Sequence, residues 1–213
     1  MTDARPAGKD ADVNEQDTRE RLLEAAHRVF LRSGTAKART QEIANEAGVN
    51  KALLHYYFGT KAALADAVFE QQVVRFMPRI FGILGSTSLD IGAKVRQIVH
   101  EQIEFYRTHP YLLGFLVAEL HTEPDRIARL IAPAGTPPVA VLREQLERAA
   151  AAGEIRPVPV EQFVATLMGA IAFPFLLQPL LVNFLSLHGD RFDAFLDERK
   201  GWLPDFILGG LRP

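Results

Sequence analysis

The sequence predicts an all-α fold. Apolar residues recur at helical spacing along most of the 213 residues, and almost no segment alternates as a half-buried strand does. Two short helical segments flank Gly48, and the 25 residues from position 163 onward carry no charge. These observations indicate helices packed on one another. A chain of this length can hold one small and one larger helical domain.

A polar segment precedes the first predicted helix. Residues 1–16 lack the apolar core of a signal peptide, and their composition is typical of a disordered tail. The chain has no Cys, which excludes disulfides and Cys-based zinc sites and makes a reducing cytoplasm the simplest location. The first helix is predicted from Asp17, which forms a capping-box pattern with Glu20, to Gly34. Its core face comprises Leu22, Leu23, Ala26, Val29 and Phe30.

Residues 40–61 carry the most informative pattern. Thr40 is expected to cap a short second helix, and Gly48 supplies the positive φ that a tight turn needs. Asn50 then caps a third helix. Its predicted inward residues are Leu53, Leu54 and Tyr57. Its predicted outward residues, which suit a DNA groove, are Lys51, Ala52, His55 and Tyr56.

Local charge separates this segment from the rest of the chain. Between Arg28 and Lys61, six basic and two acidic side chains give a net charge of +4, whereas the whole chain has a net charge of −2. The spacing alone also suits an ordinary helical hairpin. A basic patch confined to one segment favours attraction to phosphates, and hence a helix-turn-helix that binds DNA.

The block from Asp17 to Gln72 resembles the N-terminal domain of the TetR (tetracycline repressor) family of bacterial regulators. The resemblance rests on RERLLEAAHRVFLRSG in the first helix, T-x-x-IA-x-EAGV in the second, and LLHYYFGTKAAL across the third and fourth. It implies a three-helix helix-turn-helix DNA-binding domain over residues 17–62. Helix 4 would join this domain to a larger helical ligand-binding and dimerisation domain over residues 63–213. It also implies a bacterial, cytoplasmic protein.

The resemblance implies DNA contacts for individual residues. Thr40 and Gln41 open helix 2, whose backbone N–H groups suit phosphate. Lys51 could read guanine and Ala52 could touch a thymine methyl from the start of helix 3. Lys61 matches the family's phosphate-binding lysine. The predicted DNA-contact set comprises Arg39, Thr40, Gln41, Asn50, Lys51, Ala52, Leu53, His55, Tyr56 and Lys61.

Two of these residues depart from the family pattern. His55 stands where the family often has Tyr, which shortens the reach and adds sensitivity to pH near neutrality. Leu53 stands where the family often has Thr, so it either contacts the groove or belongs partly to the core. The bases that are read therefore stay open.

The remaining residues predict a helical body. Thr60 is expected to cap the fourth helix, which Pro78 would disrupt, and Asp90 starts a fifth that ends near Thr108, before His109-Pro110. The residues near one stripe of this fifth helix are Val95, Ile98, Gln102, Phe105 and Tyr106. Further helices are predicted over 110–122, 124–132, 138–152, 158–187 with an interruption, and 190–210, with a loop over 132–138.

The uncharged residues 163–187 are a transmembrane candidate by length alone. Pro174, Gln178, Pro179 and Asn183 interrupt them, which favours a buried helix pair over a membrane span. The resemblance implies a homodimer that forms through the last two long helices, within about 158–210. We therefore expect a second copy as a partner and no membrane, with insertion as the alternative.

Catalytic and metal-binding patterns are weak. His100-Glu101 begins an HExxE string and His121 lies two residues before Glu123, but neither gives the HExxH spacing of a zinc hydrolase. The sequence also lacks G-x-S-x-G, a phosphate loop and a dinucleotide-binding glycine pattern. We therefore expect no enzyme activity, no catalytic residue, no cofactor and no metal.

The resemblance finally implies a repressor that a small molecule releases from a pseudo-palindromic operator in double-stranded DNA. The effector would enter the helical body, move helix 4 and change the separation of the DNA-binding heads. A mostly apolar effector is expected, because the candidate lining residues are largely aromatic: Phe105, Tyr106, His109, Phe115, His121, Phe163, Met168 and Phe173. These side chains also suit an ordinary core, and a ligand-independent DNA-binding dimer is the alternative.

Overall fold

The computed structural model describes residues 8–213, and every regular element among them is helical. The first four helices are α1 (Gly8–Lys37), α2 (Thr40–Glu46), α3 (Lys51–Phe58) and α4 (Lys61–Gly85). The others are α5 (Ile91–Thr108), α6 (Pro110–Thr122), α7 (Pro124–Ile131), α8 (Val139–Ala151), α9 (Val160–Leu176), α10 (Gln178–Phe184) and α11 (Asp190–Gly209). A short 3₁₀ turn, Ala132–Ala134, follows α7. The all-α prediction is confirmed.

The chain divides into two compact units, Met1–Gln72 and Val73–Pro213. The division falls inside α4, beyond the boundary expected after residue 62 at the start of that helix. Burial explains the difference, because Leu64 and Val68 are fully buried and Phe69 is 4% exposed. The first part of α4 therefore belongs to the core of the first unit. We call these units the head (through Gln72) and the body (from Val73).

Helix α1 begins earlier than the sequence indicated. Of the expected disordered tail, residues 1–7 lie outside the described residues, whereas the backbone from Gly8 is already helical. Because no Pro or Gly follows Gly8 before Gly34, each added residue can extend the helix by one hydrogen bond. Asp17 consequently lies inside the helix, where it faces Arg21 at 3.8 Å, and the expected capping box with Glu20 is wrong.

Gly34 closes the regular part of α1, as predicted. Its φ of 73° and ψ of 162° are not helical, and the last residues of α1 follow this break. Positive φ strains any side chain, so glycine suits this position. The buried face before it includes the predicted residues Leu22, Leu23, Ala26, Val29 and Phe30.

Pro78 does not end α4, so the disruption predicted from the sequence is wrong. The helix continues to Gly85, and Ile80 and Ile83 beyond the proline are buried. Proline removes one backbone hydrogen bond from a helix interior. Burial of these two side chains offsets that loss.

The body is built around α5, whose buried side chains share one stripe. Val95, Ile98, Gln102 and Tyr106 lie at helical spacing and are at most 9% exposed. They belong to a core that also includes Leu167 and Ile171 of α9 and Leu196 of α11. The Asp90 side chain caps α5 by accepting a hydrogen bond from the Ala93 N–H at 2.6 Å, as predicted.

Among the described residues, no individual helix has the length and apolar character needed to cross a membrane. The pair Val160–Leu176 and Gln178–Phe184 meets these criteria only when joined, and it is bent by 69°.

Candidate nucleic-acid interface and ligand site

The turn between α2 and α3 has the geometry that the sequence predicted. Gly48 has a φ of 67°, and its N–H donates to the Asn45 carbonyl at 3.1 Å. The next N–H, of Val49, donates to the Ala44 carbonyl at 3.0 Å. This pair of bonds is the Schellman motif, which ends a helix at a residue with positive φ. It sets the direction in which the chain enters α3.

Helix α3 is capped at its start and anchored on one side. The Asn50 side chain accepts a hydrogen bond from the Ala52 N–H at 2.9 Å, as expected of an N-cap. Leu54 is fully buried and Phe58 is 9% exposed, and the Arg19 guanidinium lies 5.5 Å from the Phe58 ring centroid. These contacts hold one face of α3 in the head and leave the other exposed.

The exposed face of α3 consists of Lys51, Ala52, Leu53, His55 and Tyr56, which we call the α3 face. Tyr56 is 72% exposed and Leu53 is 36% exposed, so the inward orientation predicted for Leu53 is wrong. Adjacent side chains on a helix point about 100° apart. Because Leu54 points into the core, its neighbour Leu53 is turned toward the surface. Tyr57, also predicted inward, is half-buried.

Within the α3 face, two side chains have neighbours on the same helix or just beyond it. The His55 Nδ1 lies 2.9 Å from the Gly59 carbonyl oxygen, in hydrogen-bond contact. The Tyr56 ring packs edge-on against Tyr57, with their centroids 5.2 Å apart. Both contacts restrict the directions these side chains take at the surface.

Helix α2 starts at Thr40, with Arg39 at the N-cap position. The predicted capping by Thr40 is wrong, because Arg39 holds the N-cap position. The Arg39 side chain makes no capping hydrogen bond either. The extended backbone of Arg39 (φ −109°, ψ 137°) places Thr40 in the first turn, where its hydroxyl is out of register for a cap. Gln41 is exposed and donates to the Asn45 side chain at 2.9 Å.

Two of the six basic side chains in the segment are already neutralised. Glu46 accepts from Arg28 and Arg32, each at 2.8 Å, and Glu42 lies 3.6 Å from Arg32. The hydrogen bond from Arg28, followed by the one from Arg32, holds the pKa of Glu46 below its usual range. These pairs join α1 to α2 instead of presenting positive charge to a ligand.

Three other basic residues of the head lie at its surface without such a pair. Lys37, Arg39 and Lys51 are exposed, and none joins an ion pair within the part of the chain that the structure describes. Lys37 was not among the predicted contacts, although it was counted in the basic patch. The positive charge is therefore displayed at the end of α1 and at the starts of α2 and α3.

Lys61 is half-buried and bound to the backbone. Its ammonium donates to the carbonyl oxygens of Ala36 at 2.9 Å and Ala38 at 3.2 Å. Thr60 caps α4 as predicted, accepting from the Ala63 N–H at 3.0 Å. Lys61 thus satisfies carbonyl groups at the end of α1, a role that its sequence context did not reveal.

The predicted ligand residues are only partly gathered in the body. Phe105 stacks between Phe76 and His109, with centroid distances of 3.9 and 4.6 Å. The ring of its neighbour Tyr106 lies 5.4 Å from that of Phe175. Burial lowers the pKa of His109, and its hydrogen bond with the Phe105 carbonyl partly opposes that effect.

The other predicted ligand residues divide between core and surface. Phe115 and Phe163 are at most 8% exposed, and Phe163 also borders a cavity of about 650 Å³ between the start of α9 and the end of α11. Met168 is 38% exposed and Phe173 is 55% exposed. His121 is exposed as well, with its Nδ1 2.8 Å from the Val117 carbonyl. His121 and Phe173 therefore do not line an enclosed cavity of the single chain.

Gln102 was placed on the core stripe but not among the ligand residues. It is 2% exposed, and its Nε2 donates to the sulfur of Met168 at 3.2 Å. A polar residue within an apolar helical stripe was the signal available in the sequence. As for metals, the described residues contain no group of three or more His, Asp or Glu side chains that could hold an ion.

Comparison with known proteins agrees with the head's geometry. Residues 22–68 match the family model described as bacterial regulatory proteins, tetR family. The chain is 28% identical over 144 residues to the transcriptional repressor NicS of Pseudomonas putida, a match covering 65% of this chain and 66% of that protein. It is 33% identical over 97 residues to the nicotine-responsive transcriptional repressor HdnoR of Paenarthrobacter nicotinovorans, covering 44% and 46%.

The chain thus spans about two thirds of the length of one of these curated relatives and under half of the other. Among solved structures, the transcriptional regulator FadR of Bacillus subtilis in complex with stearoyl-CoA aligns with a TM-score of 0.64 at 15% identity, covering 91% of this chain and 99% of that one. That likeness concerns the fold. With the matched residues 22–68 and the helix-turn-helix geometry of α2 and α3, the head carries the DNA-binding segment described by the model of the TetR family of bacterial regulatory proteins.

Proposed function

We propose that this protein is a transcriptional regulator that binds double-stranded operator DNA as a homodimer and is not an enzyme. The observation that carries the proposal is the α3 face, which is exposed, rigidly capped and flanked by unpaired cations. An exposed helix that follows a tight turn fits the major groove, which is wide enough to admit an α-helix. The relatives named as transcriptional repressors support the same function, and a protein that binds operator DNA would act in the bacterial cytoplasm.

The residues divide into positioning and reading contacts. Lys37 and Arg39 lie where a phosphate backbone would be neutralised, and Gln41 stands at the exposed start of α2. Lys51, Ala52 and Leu53 are at the start of α3, where side chains reach base edges. Tyr56 offers a hydroxyl to phosphate or base. Asn50 supports this arrangement by capping, and His55 by fixing its ring against Gly59.

Exposed apolar side chains in the body support a second copy of the chain as partner. Trp202 and Phe206 of α11 stack at 4.9 Å yet are 57% and 65% exposed. Phe173 and Leu176 of α9 and Phe184 of α10 are also exposed. Large apolar patches on soluble proteins mark interfaces. These helices lie within the predicted 158–210 region.

We further propose a repressor that a small, mostly apolar molecule releases from DNA. The relative named as nicotine-responsive supports a small organic effector. The aromatic cluster of Phe76, Phe105 and His109, together with Tyr106, offers surface of the matching kind. A coupling of about 1–3 kcal/mol would suffice to shift operator occupancy.

Selection of duplexes from a random DNA library tests the DNA-binding function. The wild-type chain should enrich an inverted repeat whose half-sites lie about 34–36 Å apart, or a small multiple of that distance. Light scattering should give the mass of a dimer, alone and on the selected duplex. Failure to enrich any sequence over random DNA contradicts the proposal. A ligand screen then tests the effector, since a true effector both raises Tm and releases the selected duplex.

A further inference from the structure

Gln102 is the one glutamine of the body's core whose side-chain acceptor is unpaired among the described residues. Gln102 is only 2% exposed, and its Oε1 accepts no hydrogen bond from any described residue. Its Nε2 donates only to the Met168 sulfur, a weak acceptor. An unpaired buried acceptor is costly, and a leucine of similar volume would avoid that cost.

A second glutamine, Gln145, has hydrogen-bond partners for both the oxygen and the nitrogen of its side-chain amide. Gln145 accepts from the ammonium of the buried Lys94 and donates to the carbonyl oxygens of Ser86 at 3.4 Å and Leu89 at 3.1 Å. Its side chain holds the link between α5 and α8 together. Gln102 has no comparable structural task, because the described structure gives it one weak contact.

The surroundings of Gln102 describe the chemistry of a fitting ligand. Tyr106 follows one turn later on α5, and its ring contacts Phe175 of α9. The charged side chains beside Gln102 along α5 are already paired, since Glu101 lies 2.7 Å from Arg79 and Glu104 lies 2.6 Å from Arg107. An uncharged, largely aromatic or aliphatic molecule suits this environment.

Met168 contacts the Gln102 amide and is itself partly exposed at the surface. Its sulfur contacts the amide on one side, while 38% of the residue is exposed on the other. Methionine has three rotatable bonds and fills irregular space, so its side chain can move aside without rearranging the helix that carries it. The Gln102 amide is therefore held, among the described residues, by a weak contact with a side chain that can move.

We propose that Gln102 is the polar anchor of the effector site, taking an uncharged, mostly apolar molecule that donates one N–H or O–H hydrogen bond to its Oε1 as Met168 gives way. The proposal rests on the effector-responsive function proposed above. It adds the residue that recognises the effector and the donor group that the effector must carry.

The first test needs no ligand. Gln102→Leu should leave the Tm of the full chain unchanged or raise it by about 2–4 °C, because it removes an unpaired acceptor. The matched control Gln145→Leu should lower the Tm, because Lys94 and two carbonyl groups lose a partner. A fall for Gln102→Leu as large as that of Gln145→Leu would show that Gln102 is a structural group, and would overturn the proposal.

The second test uses three related probes: indole, 3-methylindole and 1-methylindole. The first two keep the ring N–H, whereas the third replaces it with a methyl group. Indole and 3-methylindole should raise the wild-type Tm by about 2 °C or more at millimolar concentration, and 1-methylindole should not. In Gln102→Leu the three probes should give equal shifts.

Equal shifts for all three probes on the wild-type chain, or no shift with any of them, would overturn the proposal. The DNA-binding function is judged separately by duplex selection with the wild-type chain. A chain that selects an operator but fails the probe tests refutes the Gln102 anchor alone. A chain that selects no duplex refutes the proposed function, whatever the probes do.

Discussion

The ammonium of Lys61 donates a hydrogen bond to the carbonyl oxygen of Ala36 at 2.9 Å, joining the start of α4 to the last turn of α1. A second bond reaches Ala38 at 3.2 Å. A lysine held in this way places positive charge at the C-terminal end of a helix, where the unsatisfied carbonyls carry partial negative charge. The Lys61 ammonium therefore already has a structural role before it contacts any phosphate.

Lys61→Ala should consequently have two effects. The free energy of unfolding should fall by about 1 kcal/mol, since carbonyl groups lose their donor. DNA binding should weaken on specific and random duplexes alike. The control is Lys37→Ala, which should weaken binding in the same general way without loss of stability. Denaturant unfolding with fluorescence-based DNA titration measures both, and an unchanged stability for Lys61→Ala would contradict the structural role.

Lys51→Ala should change sequence preference. Lys51 is exposed at the first position of α3, where a side chain reaches a guanine edge. We expect a loss of about 1–3 kcal/mol confined to one base-pair position of the selected operator. Binding of single-base operator variants measures this. A loss that is equal on operator and random DNA would assign Lys51 to the phosphates instead.

Leu53 and Leu54 form a matched pair of neighbours. Leu54 is fully buried, so Leu54→Ala should lower the free energy of unfolding by about 2–5 kcal/mol. Leu53 is 36% exposed, and Leu53→Ala should change it by no more than about 0.5 kcal/mol while altering DNA binding. If the two changes lowered the free energy of unfolding equally, Leu53 would be a core residue and this prediction would be wrong.

Gly48→Ala should destabilise the head through its backbone alone. A Cβ at Gly48 would meet no atom within 4 Å, but its φ is +67°. The left-handed conformation costs a non-glycine residue about 1–2 kcal/mol. Gly82 of α4 also has open space but no positive φ, so Gly82→Ala should instead stabilise by about 0.5–1 kcal/mol. The same sign for both variants in denaturant unfolding would contradict this account.

The ion pairs of Glu46 should make head stability depend on pH. Arg28 and Arg32 hold the folded-state pKa of Glu46 below the ordinary value of 4.5. A depressed acid contributes stability that is present above the unfolded pKa and is lost as the pH falls through the folded pKa. The stability difference between wild type and Glu46→Gln should therefore be constant at neutral pH and should shrink below about pH 4.5. A difference that grows on acidification would refute the assignment.

The helices of the fold could be predicted well because their ends carry local signals. Asn50, Thr60 and Asp90 each cap the helix predicted for them, with the side chain accepting a backbone N–H. Two errors involved tertiary context. Pro78 was expected to break α4, but buried Ile80 and Ile83 extend it. Thr40 was expected to cap α2, but the extended backbone of Arg39 moved the helix start back by one residue.

The candidate site was less accessible to sequence reasoning, because pairing partners are distant in the chain. The family resemblance predicted DNA contacts for Lys51, Tyr56 and Lys61. It did not predict the hydrogen bonds from Lys61 to the carbonyl oxygens of Ala36 and Ala38. Periodicity placed Gln102 on the core stripe without showing that its acceptor is unpaired. Such facts depend on which side chains meet, and helical spacing alone does not determine that.

Helix α3 is eight residues long, too short to be stable in isolation, and it depends on Leu54 and Phe58 for its attachment to the head. The five residues of the α3 face take no part in that attachment through burial. A lineage could therefore exchange its groove-facing side chains one at a time while the scaffold stayed intact. Retargeting to a new operator would then require few substitutions and no compensating change elsewhere in the chain.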